Sequence, residues 1–290
     1  MNKKTWGLIL IFYVLRIKRC IQCVVIGAAL CLISPVLEAN ELPTHKPIAG
    51  GVSIFELGPY SDAPNVSYQG DRVAAIKVSG DWFAVVGIPL SAEVGAEVAI
   101  KVKVDDWISF SYLVRVLEND YGEEKLKVAS KHVALSQTNL ERHQSEKTHI
   151  DAVKRTFTQK KLDSFKLRMP VEGRLSSTFG FRRIYNGEPR SPHSGMDIAA
   201  STGTVVLAAS PGLIIDVGDY FFSGKMVTID HGSGFLTLYA PLSEIDVSVG
   251  DVVSHKSQIG RVGVSGRVTG PHLHFGVILN GVSVNPDLFL

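Results

Sequence analysis

From Pro170 to the C-terminus, short apolar stretches are interrupted by glycine turns: "PVEGRLSSTFGFRR", "PGLIIDVGDYF", "MVTIDHGSGFLTLYA", "VSVGDVVS" and "IGRVGVSGRVTGPHLHFGVILNG". Turns recurring about every ten residues leave no room for a sustained helical period. Each apolar stretch is strand-sized and rich in β-branched residues, so the pattern predicts a compact, highly turned antiparallel β-domain.

The upstream part reads as β structure too. From Gly50 to about Val133 apolar and polar residues alternate, with turn signals at Gly58-Pro59, Gly70-Asp71, Gly80-Asp81 and Asp105-Asp106. Val73–Val78, Trp82–Val86 and Val98–Val104 are short and β-branched, as expected of a small all-β domain. Between Ser136 and Phe165 the composition shifts to Gln, Glu, Lys and Arg without Gly or Pro, which predicts a helical connector. The expected organisation is mainly β: a leader over 1–39, an N-terminal β-domain over 40–135, a helical connector over 136–165 and a C-terminal glycine-rich domain over 166–290.

The leader sets the compartment. Trp6–Leu15 and Val24–Ile33 are apolar runs flanking the basic Arg16-Ile17-Lys18-Arg19, and each is shorter than the roughly 20 residues of a membrane-spanning helix. The second run, followed by Ser34-Pro35-Val36-Leu37-Glu38-Ala39, reads as a secretory signal peptide cleaved near Ala39; an uncleaved anchor is the alternative and would be the chain's one membrane contact. Cys20, Cys23 and Cys31 all lie in the leader, so the exported part owes nothing to disulfides. The leader holds five of the 30 basic and one of the 28 acidic residues, leaving 25 against 27, or about −2; nothing there calls for nucleic acid.

Candidate chemistry gathers in two segments. In "GPHLHF", His272 and His274 stand two apart, and on a strand positions i and i+2 share a face. In "SPHSGMDIAA", His193 and Asp197 stand four apart on a Pro- and Gly-bounded extended segment, again an even spacing. His193, Asp197 and one of the C-terminal histidines could assemble a site of two imidazoles and one carboxylate. With a fourth position open, that is a catalytic rather than a structural zinc arrangement. No HExxH motif supplies a helix-borne glutamate base, and a neutral histidine beside the metal would serve instead. His143 and His149 fall in the charged connector and read as surface residues, His231 reads as a structural turn residue, and His45, His132 and His255 lie outside the candidate site.

The segments "HSGMDIAASTGTVVLAASPGLIIDVGDYFFSGKMVTIDHGSGFLTLYAPLS", "VSVGDVVS" and "IGRVGVSGRVTGPHLHF" resemble the lysostaphin/LytM-type zinc metallopeptidases, which cut peptide cross-links of bacterial peptidoglycan. The β-rich region from about Pro47, with "GGVSIFELG" and "FAVVGIPL", is similar to the domain that precedes the peptidase domain in some Gram-negative members. The resemblance implies that His193, Asp197 and His274 bind Zn2+, that His272 is the catalytic histidine beside the metal, and that the substrate is the peptidoglycan stem peptide, met in the periplasm. One position departs from the family pattern. Where relatives carry a second catalytic histidine in a Tyr-x-His-Leu segment, this chain reads Tyr239-Ala240-Pro241-Leu242. Proline cannot transfer a proton, and an acid/base contribution of that kind is worth about 10²–10⁴ in rate. The alternative expectation is therefore a catalytically weakened LytM-like domain that binds peptidoglycan or regulates a partner cell-wall hydrolase.

Overall fold

The computed structural model describes residues 41–105, 108–126, 136–185, 187–264 and 270–290, so the leader reading and His132 lie outside the described residues. Six upstream strands form one antiparallel sheet: β1 (Val52–Gly58), β2 (Asn65–Tyr68), β3 (Asp71–Val78), β4 (Asp81–Gly87), β5 (Glu97–Lys103) and β6 (Ser109–Arg115), in the order β1-β4-β3-β2-β5-β6. β5 shows why they form, since Val98, Ile100 and Val102 turn inward while Glu97, Ala99, Lys101 and Lys103 turn out, the period-2 pattern of a half-buried strand. The hairpins at Gln69-Gly70 and Ser79-Gly80 have positive φ at both central residues, as two-residue turns between right-twisted strands require.

After β7 (Glu123–Leu126) comes helix α1 (Gln137–Lys154), capped at its start by the Ser136 side chain, which accepts from the Asn139 N–H. The helix covers only the first part of the polar connector. No residue of it is buried, whereas Leu162, Phe165 and Leu167 beyond it enter the core from an extended segment. Polar composition without Gly or Pro extends the helix on paper; the irregularly spaced apolar residues after Lys154, which must be buried, end it in the fold.

The C-terminal strands are β8 (Arg174–Ser177), β9 (Arg182–Tyr185), β10 (Glu188–Pro189), β11 (Met196–Ala199), β12 (Val205–Leu207), β13 (Gly212–Tyr220), β14 (Gly224–Gly232), β15 (Phe235–Ile245), β16 (Val252–Val253), β17 (Gln258–Val262), β18 (His272–Leu279) and β19 (Val282–Val284). Ten of them make an antiparallel sheet along β16-β13-β14-β15-β18-β11-β8, with β12, β17 and β19 paired off this path. The fold is mainly β, with an N-terminal β-sheet part and a C-terminal antiparallel β part. β9 lies outside the large sheet. It pairs with β10 on one side and, in parallel, with β7 on the other.

Two large apolar layers, and a small third one around Tyr220, Met226 and Ala240, are formed among the described residues. One lies within the N-terminal sheet, around Val66, Ile100, Val102, Ala84 and Val86. The larger joins the other face of that sheet, through Val52, Ala74, Ile76, Val78 and Val85, to Phe165, Ile198, Phe235, Tyr239, Phe275 and Phe289. The seam is also polar. Asn280 Oδ1 accepts from the Gly87 N–H at 2.7 Å, and its amide donates back to the Gly87 carbonyl at 3.1 Å. Each fully buried apolar side chain of the shared layer is worth about 1.5–3 kcal/mol, so that layer, not the polar helix, fixes the sheet arrangement.

Candidate metal centre

Strand register builds the site. β11 pairs with β18 so that Asp197 faces His274 and Ala199 faces His272. Leu273 and Phe275, the alternate residues of β18, are fully buried in the core, which leaves both histidines on the opposite face. His193 enters from the segment ahead of β11, held by the N–H of Gly180 to its carbonyl at 2.8 Å and by its own N–H to the Phe181 carbonyl at 3.0 Å. Gly195 is required between His193 and Asp197, since a Cβ there would lie 2.5 Å from the Phe275 oxygen and 2.7 Å from the His274 ring.

Three ligand-type atoms converge. His193 Nε2 and His274 Nδ1 each lie 2.9 Å from Asp197 Oδ1 and 3.0 Å from each other. His193 Nδ1 is 2.8 Å from the Thr178 carbonyl, which can only accept, so the proton sits on Nδ1 and Nε2 offers a lone pair. Such an acceptor-rich knot needs a proton or a cation among its members. Ligand atoms around a tetrahedral zinc, with bonds of about 2.0–2.2 Å, stand about 3.3–3.5 Å apart. The observed triangle is a few tenths of an ångström tighter, so the donor set fits that ion.

Electrostatics follow from burial and contact. Burial alone would push the Asp197 carboxyl up, but its close contacts with the His193 and His274 rings outweigh it and hold the group far below the usual carboxylate range. Burial pushes the His274 imidazole down, Asp197 pulls it back, and the neighbouring His193 and Arg183 add to the downward push. Asp197 Oδ2 faces Arg183 Nη2 at 3.2 Å. His272 stands beside the cluster with Nε2 3.9 Å from Asp197 Oδ1, while its Nδ1 lies 2.8 Å from the Gly270 carbonyl and carries the proton.

Other sequence expectations find their places. Ala240 pairs with His274, and the next residue, Pro241, is buried where β15 leaves β18 for β17; its carbonyl accepts from the Gly263 N–H at 3.0 Å. The β14–β15 ladder shifts register between Tyr239 and Leu242, an irregularity that accommodates a residue without an N–H. His231 is buried, with Nδ1 2.9 Å from the Pro211 carbonyl and Nε2 2.8 Å from Thr237 Oγ1. His149 is not a bare surface residue: its Nε2 lies 2.8 Å from the buried Asp216, which also accepts from Tyr220. Together with His143 edge-on to Phe222, it docks α1 on the β13–β14 hairpin. Arg183 was not singled out from the sequence; only its position fourteen residues ahead of Asp197 in "FGFRR" marks it, and no spacing rule connects the two.

Residues 191–286 match the model of peptidase family M23, and residues 45–112 match that of its N-terminal domain. The crystal structure of an M23-family peptidase from Pseudomonas aeruginosa is 35% identical, superposes with a TM-score of 0.71, and shares 84% of this chain and 95% of its own. The chain belongs to peptidase family M23. Among curated relatives, the peptidoglycan DD-endopeptidase ShyA of Vibrio cholerae is 38% identical over 136 residues, covering 47% of this chain and 30% of that protein. The DD-carboxypeptidase/endopeptidase Mpg of Neisseria meningitidis is 41% identical over 122 residues, covering 42% and 28%. The chain thus spans less than a third of either relative's length.

Proposed function

We propose that this protein is a zinc-dependent endopeptidase that hydrolyses peptide cross-links of peptidoglycan after export to the periplasm. The observation that carries the reading is the triangle of His193 Nε2, Asp197 Oδ1 and His274 Nδ1, with a third histidine, His272, beside it. Family membership and the names of the peptidoglycan-cleaving relatives support the substrate class. His193, Asp197 and His274 would hold the metal, which would supply Lewis acidity to the scissile carbonyl and the attacking water. His272 does the proton work. Its Nδ1–H is committed to Gly270, so the basic Nε2 takes a proton from water and returns it to the leaving amine. Residues 40–135 act as the accompanying N-terminal module, 166–290 as the peptidase domain, and 1–39 as the export leader.

The test is mass-spectrometric analysis of purified peptidoglycan incubated with residues 40–290, with and without chelator. Chelator-sensitive release of uncross-linked or shortened muropeptides is expected. Intact cross-links from folded, zinc-loaded protein would refute the reading. Pro241 favours one second reading, a weakened domain that binds peptidoglycan or regulates a partner hydrolase. In that case the protein would co-sediment with sacculi and leave their cross-links intact.

A further inference from the structure

Arg183 belongs to none of the family's ligand or proton-transfer positions, yet its guanidinium Nη2 lies 3.2 Å from Asp197 Oδ2. The two oxygens of this carboxylate are therefore divided. Oδ1 meets both histidine nitrogens at 2.9 Å, and Oδ2 meets the cation. We infer that Arg183 is a positioning residue for the metal centre: it holds Oδ2 outside the cluster, so that Asp197 presents Oδ1 alone to the metal side. This rests on the zinc-site reading above.

The physical case has three parts. A carboxylate with one oxygen undirected can rotate and offer both oxygens to a cation, which fills a position that substrate needs. Asp197 is 7% exposed, so water is poorly placed to occupy Oδ2, and an unsatisfied buried acceptor costs about 1–3 kcal/mol. A charge-assisted bond from a planar guanidinium is the strong, directional way to settle it.

Arg183 is also mounted rigidly. In the parallel β7–β9 pair it stands opposite Glu124, and its carbonyl accepts from the Arg190 N–H at 2.8 Å. Its neighbour Arg182 donates its N–H to the Gly122 carbonyl at 3.1 Å and sets its side chain 3.6 Å from Asp120 and 3.8 Å from Glu123. The strand that aims Arg183 is thus braced by a segment more than fifty residues upstream. The cation opposes the metal's charge to some degree, and what it contributes in return is orientation.

The experiment loads the exported chain with Co2+ in place of zinc and reads the visible d–d bands, whose intensity falls as coordination number rises above four. Parent protein should show intense four-coordinate bands and His193→Ala none. Arg183→Ala should lower the band intensity by about half or more, as a second carboxylate oxygen joins the metal. Arg183→Lys, which can still hold Oδ2, should keep the parent spectrum. If Arg183→Ala fails to fold by thermal melt, Arg183→Met, which preserves the apolar stem, takes its place. An unchanged spectrum in a folded variant overturns the inference, and so does failure of both Ala and Met variants to fold, which would make Arg183 a structural residue. Absence of cobalt bands in the parent would instead defeat the zinc-site reading itself.

Discussion

His231 should make the fold acid-sensitive by a calculable amount. Burial pushes its imidazole down to about 4, the Pro211 carbonyl offsetting part of the shift and the Lys160 charge adding to it. An unfolded histidine titrates near 6.5. The stability this group contributes is fully present above pH 6.5 and is lost as pH falls towards 4, because over that window the unfolded chain binds a proton that the folded chain refuses. At pH 5 the unfolded group is almost wholly charged and the folded one almost wholly neutral, a linkage of about 2 kcal/mol. His231→Asn retains a donor for Pro211 and removes the titration. Urea unfolding of parent and variant at pH 8 and pH 5, both with chelator so that metal release does not enter, gives the comparison. The parent should lose about 2 kcal/mol more than the variant on acidification. Equal losses would show that His231 is not held neutral by burial, and the reasoning would fail.

Other outcomes follow from the site. His272→Ala should lower the cleavage rate by about 10²–10⁴ while zinc stoichiometry stays at the parent's value, and loss of zinc in that variant would make His272 a ligand instead. Gly195→Ala forces a methyl against the His274 ring and the Phe275 carbonyl, so it should destabilise the protein by about 1–3 kcal/mol in urea and weaken zinc retention against chelator. Pro241→His should raise turnover of cross-linked muropeptides by up to about 10²–10⁴, and an unchanged rate would mean that position 241 does not reach the reacting bond.

The parts of this protein governed by local periodicity were readable beforehand. The i, i+2 spacing of His272 and His274 sets them on one face because Leu273 and Phe275 must be buried on the other. Strands β3, β4 and β5 fall where β-branched alternation and glycine turns put them. The end of α1 was not readable, because it depends on Phe165 and Leu167 finding a core that two distant sheets build together. His149 is exposed, as its charged surroundings suggest, but its partner was not readable, because Asp216 comes from a sheet strand 67 residues on. Arg183 escaped notice because a parallel strand pair with a long connection aims it, and no short-range pattern encodes such a pair.

The parallel β7–β9 pair also bears on how the chain behaves once cut. Helix α1 is exposed, carries no buried residue and links two regions that are held together elsewhere. Upstream of it, Thr44 donates to the Leu288 carbonyl, Gly87 is paired with Asn280, and β7 lies along β9. A protease that severs the helix should therefore leave two pieces that travel as one particle through a sizing column and separate only in denaturant. A nicked molecule of this kind would keep the His193–Asp197–His274 cluster, since every strand that frames it remains in place.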